Sequence, residues 1–212
     1  MNYLIDYHVH STFSLDGHNK ITELCQSAVN KGISEIAVTD HLEPNLKDEN
    51  YLFYNQKGYW ADITKAKHTL RGKLKIKLGI ELGQPHLFPE SSIAIVADFP
   101  YDYVLASAHK LPEGMDVSEL NFSQISEEEL CSMYLKQLKE LIYWNNFDCI
   151  GHLDLIKRYS AAVYKKNITL ACQYELLKEV LKLAIYCGKG IEINTSGLRQ
   201  TPKETMPGLD VV

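Results

Sequence analysis

Five of the eight histidines stand where they could act as ligands. His8 and His10 flank Val9 in an apolar run. Residues two apart in an extended segment point to the same side, so both imidazoles can grip one ion. Asp40-His41, Glu81, His109 and His152 follow at intervals along the chain, with Glu192 and Asn194 beyond them. Imidazole nitrogens mixed with carboxylate oxygens suit zinc, iron or manganese, whereas an all-oxygen set suits magnesium or calcium. A carboxylate such as Glu81 has two acceptor oxygens and can bridge two ions. Paired ions about 3.5–4 Å apart can clamp the attacking and leaving oxygens of a phosphoryl transfer. Each piece alone has an ordinary alternative. His8-x-His10 could be a surface or core pair, Asp40 a turn cap and Glu81 a loop charge. Asp16-Gly17 is a common turn dipeptide, although Asp16 follows His10 closely enough to reach the same ions. His18, His68 and His86 lie out of register with the others and read as surface or loop residues.

Two arginines add an anion-binding element. Arg158 follows His152 by six residues and Arg199 follows Asn194 by five. Both are expected in loops on the face that carries the histidines. A guanidinium is a natural fork for phosphate, and the alternative for either alone is a surface salt bridge.

The elements that must position these groups follow from hydrophobic periodicity. Strands are expected over 3–9, 35–39, 75–80, 103–106, 148–150 and 190–194. Helices are expected over 21–31, 59–70, 126–145 and 170–187. Ser126-Glu127-Glu128-Glu129 has the pattern of a capping box, and Gly188 is a natural stop for the last helix. Strand–helix alternation with short apolar strands predicts parallel βα units buried on both faces. The candidate ligands sit at or just after the strand ends, which share one face in such a fold. No glycine-rich dinucleotide fingerprint and no Walker A motif is present.

The composition bounds these readings. The chain has 212 residues, 45% hydrophobic and 23% charged, enough for one sizeable core and a single domain over 1–212. The 22 basic and 27 acidic residues give a net charge of −5. Such a chain is a poor generic partner for nucleic acid or an anionic membrane, so the expected anion is a small phosphorylated molecule. Five cysteines without a Cys-x-x-Cys pair argue against a disulfide scaffold and for a reducing, cytoplasmic setting. Met1–Asp6 has neither a basic start nor a long apolar stretch, so no signal peptide is expected.

Asp6-Tyr7-His8-Val9-His10-Ser11-Thr12, Val38-Thr39-Asp40-His41, Gly79-Ile80-Glu81, Ser107-Ala108-His109 and Gly151-His152 together resemble the PHP (polymerase and histidinol phosphatase) family. The stretches from Gly151 to Tyr159 and from Glu192 to Arg199 resemble its histidinol-phosphate phosphatase branch. The resemblance implies an α/β fold, a distorted TIM-like (β/α)7 barrel, with two to three divalent transition-metal ions (Zn, Fe or Mn). It implies that His8 and His10 bind a first ion and that Glu81 bridges it to a second, completed by His109 and His152. Asp16 and His41 would hold a third, and Asp40 would orient its neighbours. Arg158 and Arg199 would bind phosphate. The implied activity is hydrolysis of histidinol phosphate in histidine biosynthesis.

One departure accompanies the resemblance. The family places an Asp-x-His after the Arg199 region, and no such motif follows here. The expectation is a barrel short of its last βα unit, with an open edge that a homo-oligomer could cover. Three rival readings stay open: a PHP-type nuclease or other phosphoesterase, a catalytically impaired metal-binding protein, and an amidohydrolase-like enzyme.

Overall fold

The computed structural model describes residues 3–211; Met1 and Asn2 of the N-terminal stretch, and Val212, lie outside the described residues. The chain forms two compact units, one running to Leu105 and the other from Ala106.

The first unit is built on parallel strands. They are β1 (Ile5–Val9), β2 (Glu35–Val38), β3 (His41–Leu42) and β4 (Lys75–Gly83). β5 (Tyr103–Ser107) carries the chain into the second unit. β1 pairs with β2, and β2 with β4 in the register Glu35 to Lys75 through Val38 to Leu78. β3 also pairs with β4, placing His41 opposite Glu81. Helices α1 (Ile21–Asn30) and α3 (Gln56–Thr69) cover this sheet. Their apolar residues recur at helical spacing, Ile21, Cys25 and Ala28 on one, Tyr59, Ile63 and Ala66 on the other. These side chains form one buried cluster with Ile36, Val38, Ile76 and Leu78. The Tyr59 hydroxyl lies 2.6 Å from the Val38 carbonyl and 2.8 Å from that of Gly79, tying α3 to β2 and β4. Two short helices complete the unit, α2 (Glu49–Phe53) and α4 (Pro89–Asp98).

In the second unit α5 (Glu127–Trp144) and α7 (Tyr174–Tyr186) pack together, burying Leu130, Leu138 and Leu141 of the first and Leu177, Val180 and Ala184 of the second. The Ser126 side chain accepts from the Glu129 N–H at 3.2 Å, the cap its sequence pattern predicts. Strands β6 (Cys149–Ile150) and β7 (Gly190–Ile191) run parallel, and the Gly151 N–H donates to the Ala106 carbonyl at the end of β5. A nine-residue helix, α6 (Ile156–Tyr164), follows β6.

The structure corrects several expectations. Arg158 is not in a loop but in the first turn of α6, where burial of Ile156, Ser160 and Ala161 on one face stabilises a helix straight after the turn at His152. Arg199 ends a 3-10 helix over Thr195–Arg199. The helix expected over 170–187 begins as a 3-10 turn (Leu170–Gln173) because Gln173 is non-helical, and α7 starts only at Tyr174. The last strand stops at Ile191, so Glu192 and Asn194 stand beyond it. Among the described residues no helix is long and apolar enough to cross a membrane.

Candidate metal centre

In the first unit the ligand-type side chains meet directly. His8 lies in β1 and His10 just after it, and their Nε2 atoms are 3.1 Å apart. Glu81 Oε2 on β4 is 3.3 Å from His8 Nε2 and 3.0 Å from His10 Nε2. Around an ion with bonds near 2.0–2.1 Å, neighbouring ligand atoms stand roughly 3.0–3.4 Å apart, so these three atoms fit the edges of one coordination shell. Their two-nitrogen, one-oxygen chemistry fits zinc, iron or manganese. His10 Nδ1 contacts Asp16 Oδ2 at 2.8 Å. Burial lowers the His10 pKa, but Asp16 and Glu81 outweigh it and bring the imidazole up to about 9. Burial works against the Asp16 carboxylate, and the His10 contact outweighs it, drawing Asp16 down to about 2. The His10 and His41 rings stack with centroids 6.3 Å apart.

Asp40 serves a different purpose from its neighbours. It is fully buried and accepts from the Ser11 N–H, from the Ser11 hydroxyl at 2.6 Å and from the Ser14 hydroxyl at 2.9 Å. All three donors belong to the loop between β1 and α1 that carries Asp16, so Asp40 ties that loop to the end of β2. Burial pushes its carboxyl up against those hydrogen bonds. The same loop explains Gly17. A Cβ there would fall 1.7 Å from the Ser11 carbonyl oxygen, so only glycine lets the Asp16 turn close.

In the second unit one pair meets directly and the other groups are joined through intermediaries. His109 and His152 bring their Nε2 atoms within 3.4 Å. His152 is 3% exposed with φ of 23°, a conformation rare for a side-chain-bearing residue. Its N–H donates to Glu192 Oε2 at 2.7 Å, and the Asn194 amide donates to Glu192 Oε1 at 3.0 Å. Asn194 Oδ1 then accepts from the Ser196 N–H at 2.9 Å and from the Ser196 hydroxyl. Arg158 donates to that hydroxyl at 3.2 Å, while its buried Nε has no hydrogen-bond partner among the described residues. Arg199 lies on the same 3-10 helix as Ser196. Lys157, beside Arg158, is 1% exposed and held as an ammonium by Asp154 and Glu204, both at 2.8 Å. Burial lowers its pKa, and the two carboxylates more than restore it.

The structure thus groups His8, His10, Asp16, His41 and Glu81 in one unit, and His109, His152, Arg158 and Arg199 in the other. His18 and His68 are exposed, as their place outside the register predicts. Sequence reasoning missed Glu43, whose Oε1 is 3.2 Å from His41 Nε2. The rule that selects His8-x-His10 also selects His41-x-Glu43 and could have found it. The relay role of Glu192 and Asn194 carried no comparable signal.

The PHP domain family matches residues 6–196. The chain belongs to the PHP domain family. Over 193 residues it is 30% identical to the "Histidinol-phosphatase" of Lactococcus lactis subsp. lactis (strain IL1403), covering 90% of this chain and 71% of that protein. This PHP chain is also similar to the crystal structure of the Lactococcus lactis histidinol phosphate phosphatase complexed with zinc, L-histidinol and phosphate. The TM-score is 0.82 at 29% identity, covering 91% of this chain and 73% of that one. A Listeria monocytogenes structure gives a TM-score of 0.79 at 17% identity, over 98% of this chain and 88% of that one, a likeness of fold alone. The fold class is accordingly the α/β, distorted TIM-like barrel of the PHP type.

Proposed function

We propose that this PHP chain is a metal-dependent phosphomonoester hydrolase that converts histidinol phosphate and water to histidinol and phosphate. The observation that carries the reading is the convergence of His8 Nε2, His10 Nε2 and Glu81 Oε2 at ligand-to-ligand spacing in a chain of this family. The names of its relatives supply the substrate. Two to three divalent ions (Zn, Fe or Mn) are the cofactors. In the first unit His8, His10, Glu81, Asp16 and His41 are their ligands; in the second, His109 and His152 are.

Divalent ions, when bound, supply Lewis-acid stabilisation of phosphoryl oxygens and a nucleophile at neutral pH. The chain's own contribution is placement. Glu81 meets two imidazoles with one of its two acceptor oxygens. Asp40 fixes the loop that carries Asp16. Arg158 offers a buried donor not used elsewhere among the described residues, and with Arg199 it receives the phosphoryl oxygens and the charge that builds on them. With a net charge of −5, a small phosphorylated molecule is a better partner than nucleic acid or an anionic membrane.

The test is phosphate release from histidinol phosphate by the purified chain loaded with manganese, iron or zinc. Turnover abolished by chelator and weakened in Arg199→Ala is expected. A folded, metal-loaded chain that releases no phosphate overturns the reading.

A further inference from the structure

One buried carboxylate has no part in the ligand set above. Glu43 is 2% exposed and lies just past β3, two residues after His41. Its Oε1 is 3.2 Å from His41 Nε2. β3 pairs with β4 so that His41 faces Glu81 and Leu42 faces Leu82. The next β4 residue is Gly83, where a Cβ would fall 1.9 Å from Glu43 Oε1 and 2.5 Å from its Cδ. The carboxylate therefore fills the volume that any side chain at position 83 would occupy. Strand pairing sets Glu43 beside Glu81's strand, and the missing side chain at Gly83 admits it.

A buried carboxylate is costly unless its charge is met. Two arrangements with His41 contribute to meeting it: an ion pair, or joint ligation of a cation by Glu43 and His41. The surroundings favour the second. The His41 ring stacks on His10, with centroids 6.3 Å apart, and His41 stands opposite Glu81 in the β3–β4 pairing. His41 thus belongs to a cluster already rich in ligand-type groups, and its Nε2 is the atom that faces Glu43. The separation of 3.2 Å again matches neighbouring ligand atoms around one transition ion.

We propose that Glu43 is a carboxylate ligand of the divalent ion held by His41, and that Gly83 is the clearance that lets it reach. The proposal rests on the metal reading given under Proposed function. It is tested on the full chain loaded with zinc or manganese, by counting bound ions with elemental analysis and measuring their retention against a competing chelator. Cobalt substitution adds a coordination spectrum. Glu43→Gln is expected to lose the ion that His41→Ala loses, or to hold it at least tenfold more weakly, with an altered cobalt spectrum. Gly83→Ala, which displaces the carboxylate while keeping it, is expected to do the same and serves if Glu43→Gln fails to fold. Wild-type ion number, retention and spectrum in folded Glu43→Gln or Gly83→Ala would overturn the proposal and leave Glu43 as the ion-pair partner of His41. A wild-type chain that binds no ion would instead overturn the metal reading itself, and this inference with it.

Discussion

The two units place functional side chains by different means. In the first, strand geometry is nearly enough: His8 on β1, His10 directly after it and Glu81 on β4 touch without intermediaries. In the second, His152 sits in a strained turn whose N–H is held by Glu192, and a run of hydrogen bonds through Asn194 and Ser196 leads on to Arg158. Long parallel strands fix side chains directly. In the second unit β6 and β7 are only two residues long, and polar side chains share the task. Damage in the first unit should therefore be concentrated at single residues, and damage in the second should be graded along the relay.

The largest effect is expected at the direct contact. Glu81→Ala should lower phosphate release about a thousandfold, because it removes an oxygen shared by two imidazoles and with it several kcal/mol of metal-derived stabilisation. Metal analysis should show ion loss in parallel; retained ions with full activity would remove the contrast between the units. A step down the scale, Glu192→Gln should cost roughly 10- to 100-fold in kcat/KM, the range for groups that orient ligands. Its ions should be held more tightly than in Glu81→Ala, and equal loss in both would show that the relay is no gentler than direct contact.

A third prediction concerns the opposite ends of the first unit's strands. Glu35 is buried and accepts from the hydroxyls of Tyr3, at 2.5 Å, and Tyr7, with Lys75 at 3.1 Å. Burial raises its pKa, but these partners outweigh it and bring the carboxyl from 4.5 down to about 2. A depressed carboxylate contributes stability that is complete above its unfolded pKa and is lost as pH falls toward the folded one. Glu35→Gln should therefore destabilise the chain by about 2–3 kcal/mol at pH 7, a fall in Tm of roughly 4–10 °C. The difference from wild type should shrink between pH 4.5 and about 2. Phosphate release at a permissive temperature should be unchanged, since these groups serve the sheet. The smallest effect is expected for Ser196→Ala, which removes one partner of Arg158. KM for histidinol phosphate should rise roughly 2- to 10-fold with little change in kcat, consistent with one hydrogen bond of about 0.5–1.5 kcal/mol.

The contrast also explains which parts of the molecule could be read from its sequence. Strands rich in Val, Ile, Leu and Tyr leave a local signal, so β1, β2, β4 and β5 stand out, and the candidate ligands at their ends stand out with them. The Ser126 cap is equally local and forms as expected. β3 is two residues long and has no period to detect, so the strand that sets His41 opposite Glu81 leaves no signal of its own, and only the His41-x-Glu43 spacing points to Glu43. α6 begins four residues after His152, close enough to its turn that the segment reads as a loop, which hid the helical setting of Arg158. The role of Glu192 depends on a backbone N–H forty residues away, a partnership that no local pattern encodes.

Lys157 carries a practical consequence. Its ammonium is enclosed by Asp154 and Glu204, and Asp154 also accepts from the Gly208 N–H at 3.1 Å. An amine so enclosed is shielded from acylating reagents that modify the chain's exposed lysines. It becomes reactive only when the segment around Glu204 and Gly208 lifts away. Lysine-labelling at position 157, read by mass spectrometry, is thus a built-in gauge of how often the chain downstream of Arg199 opens.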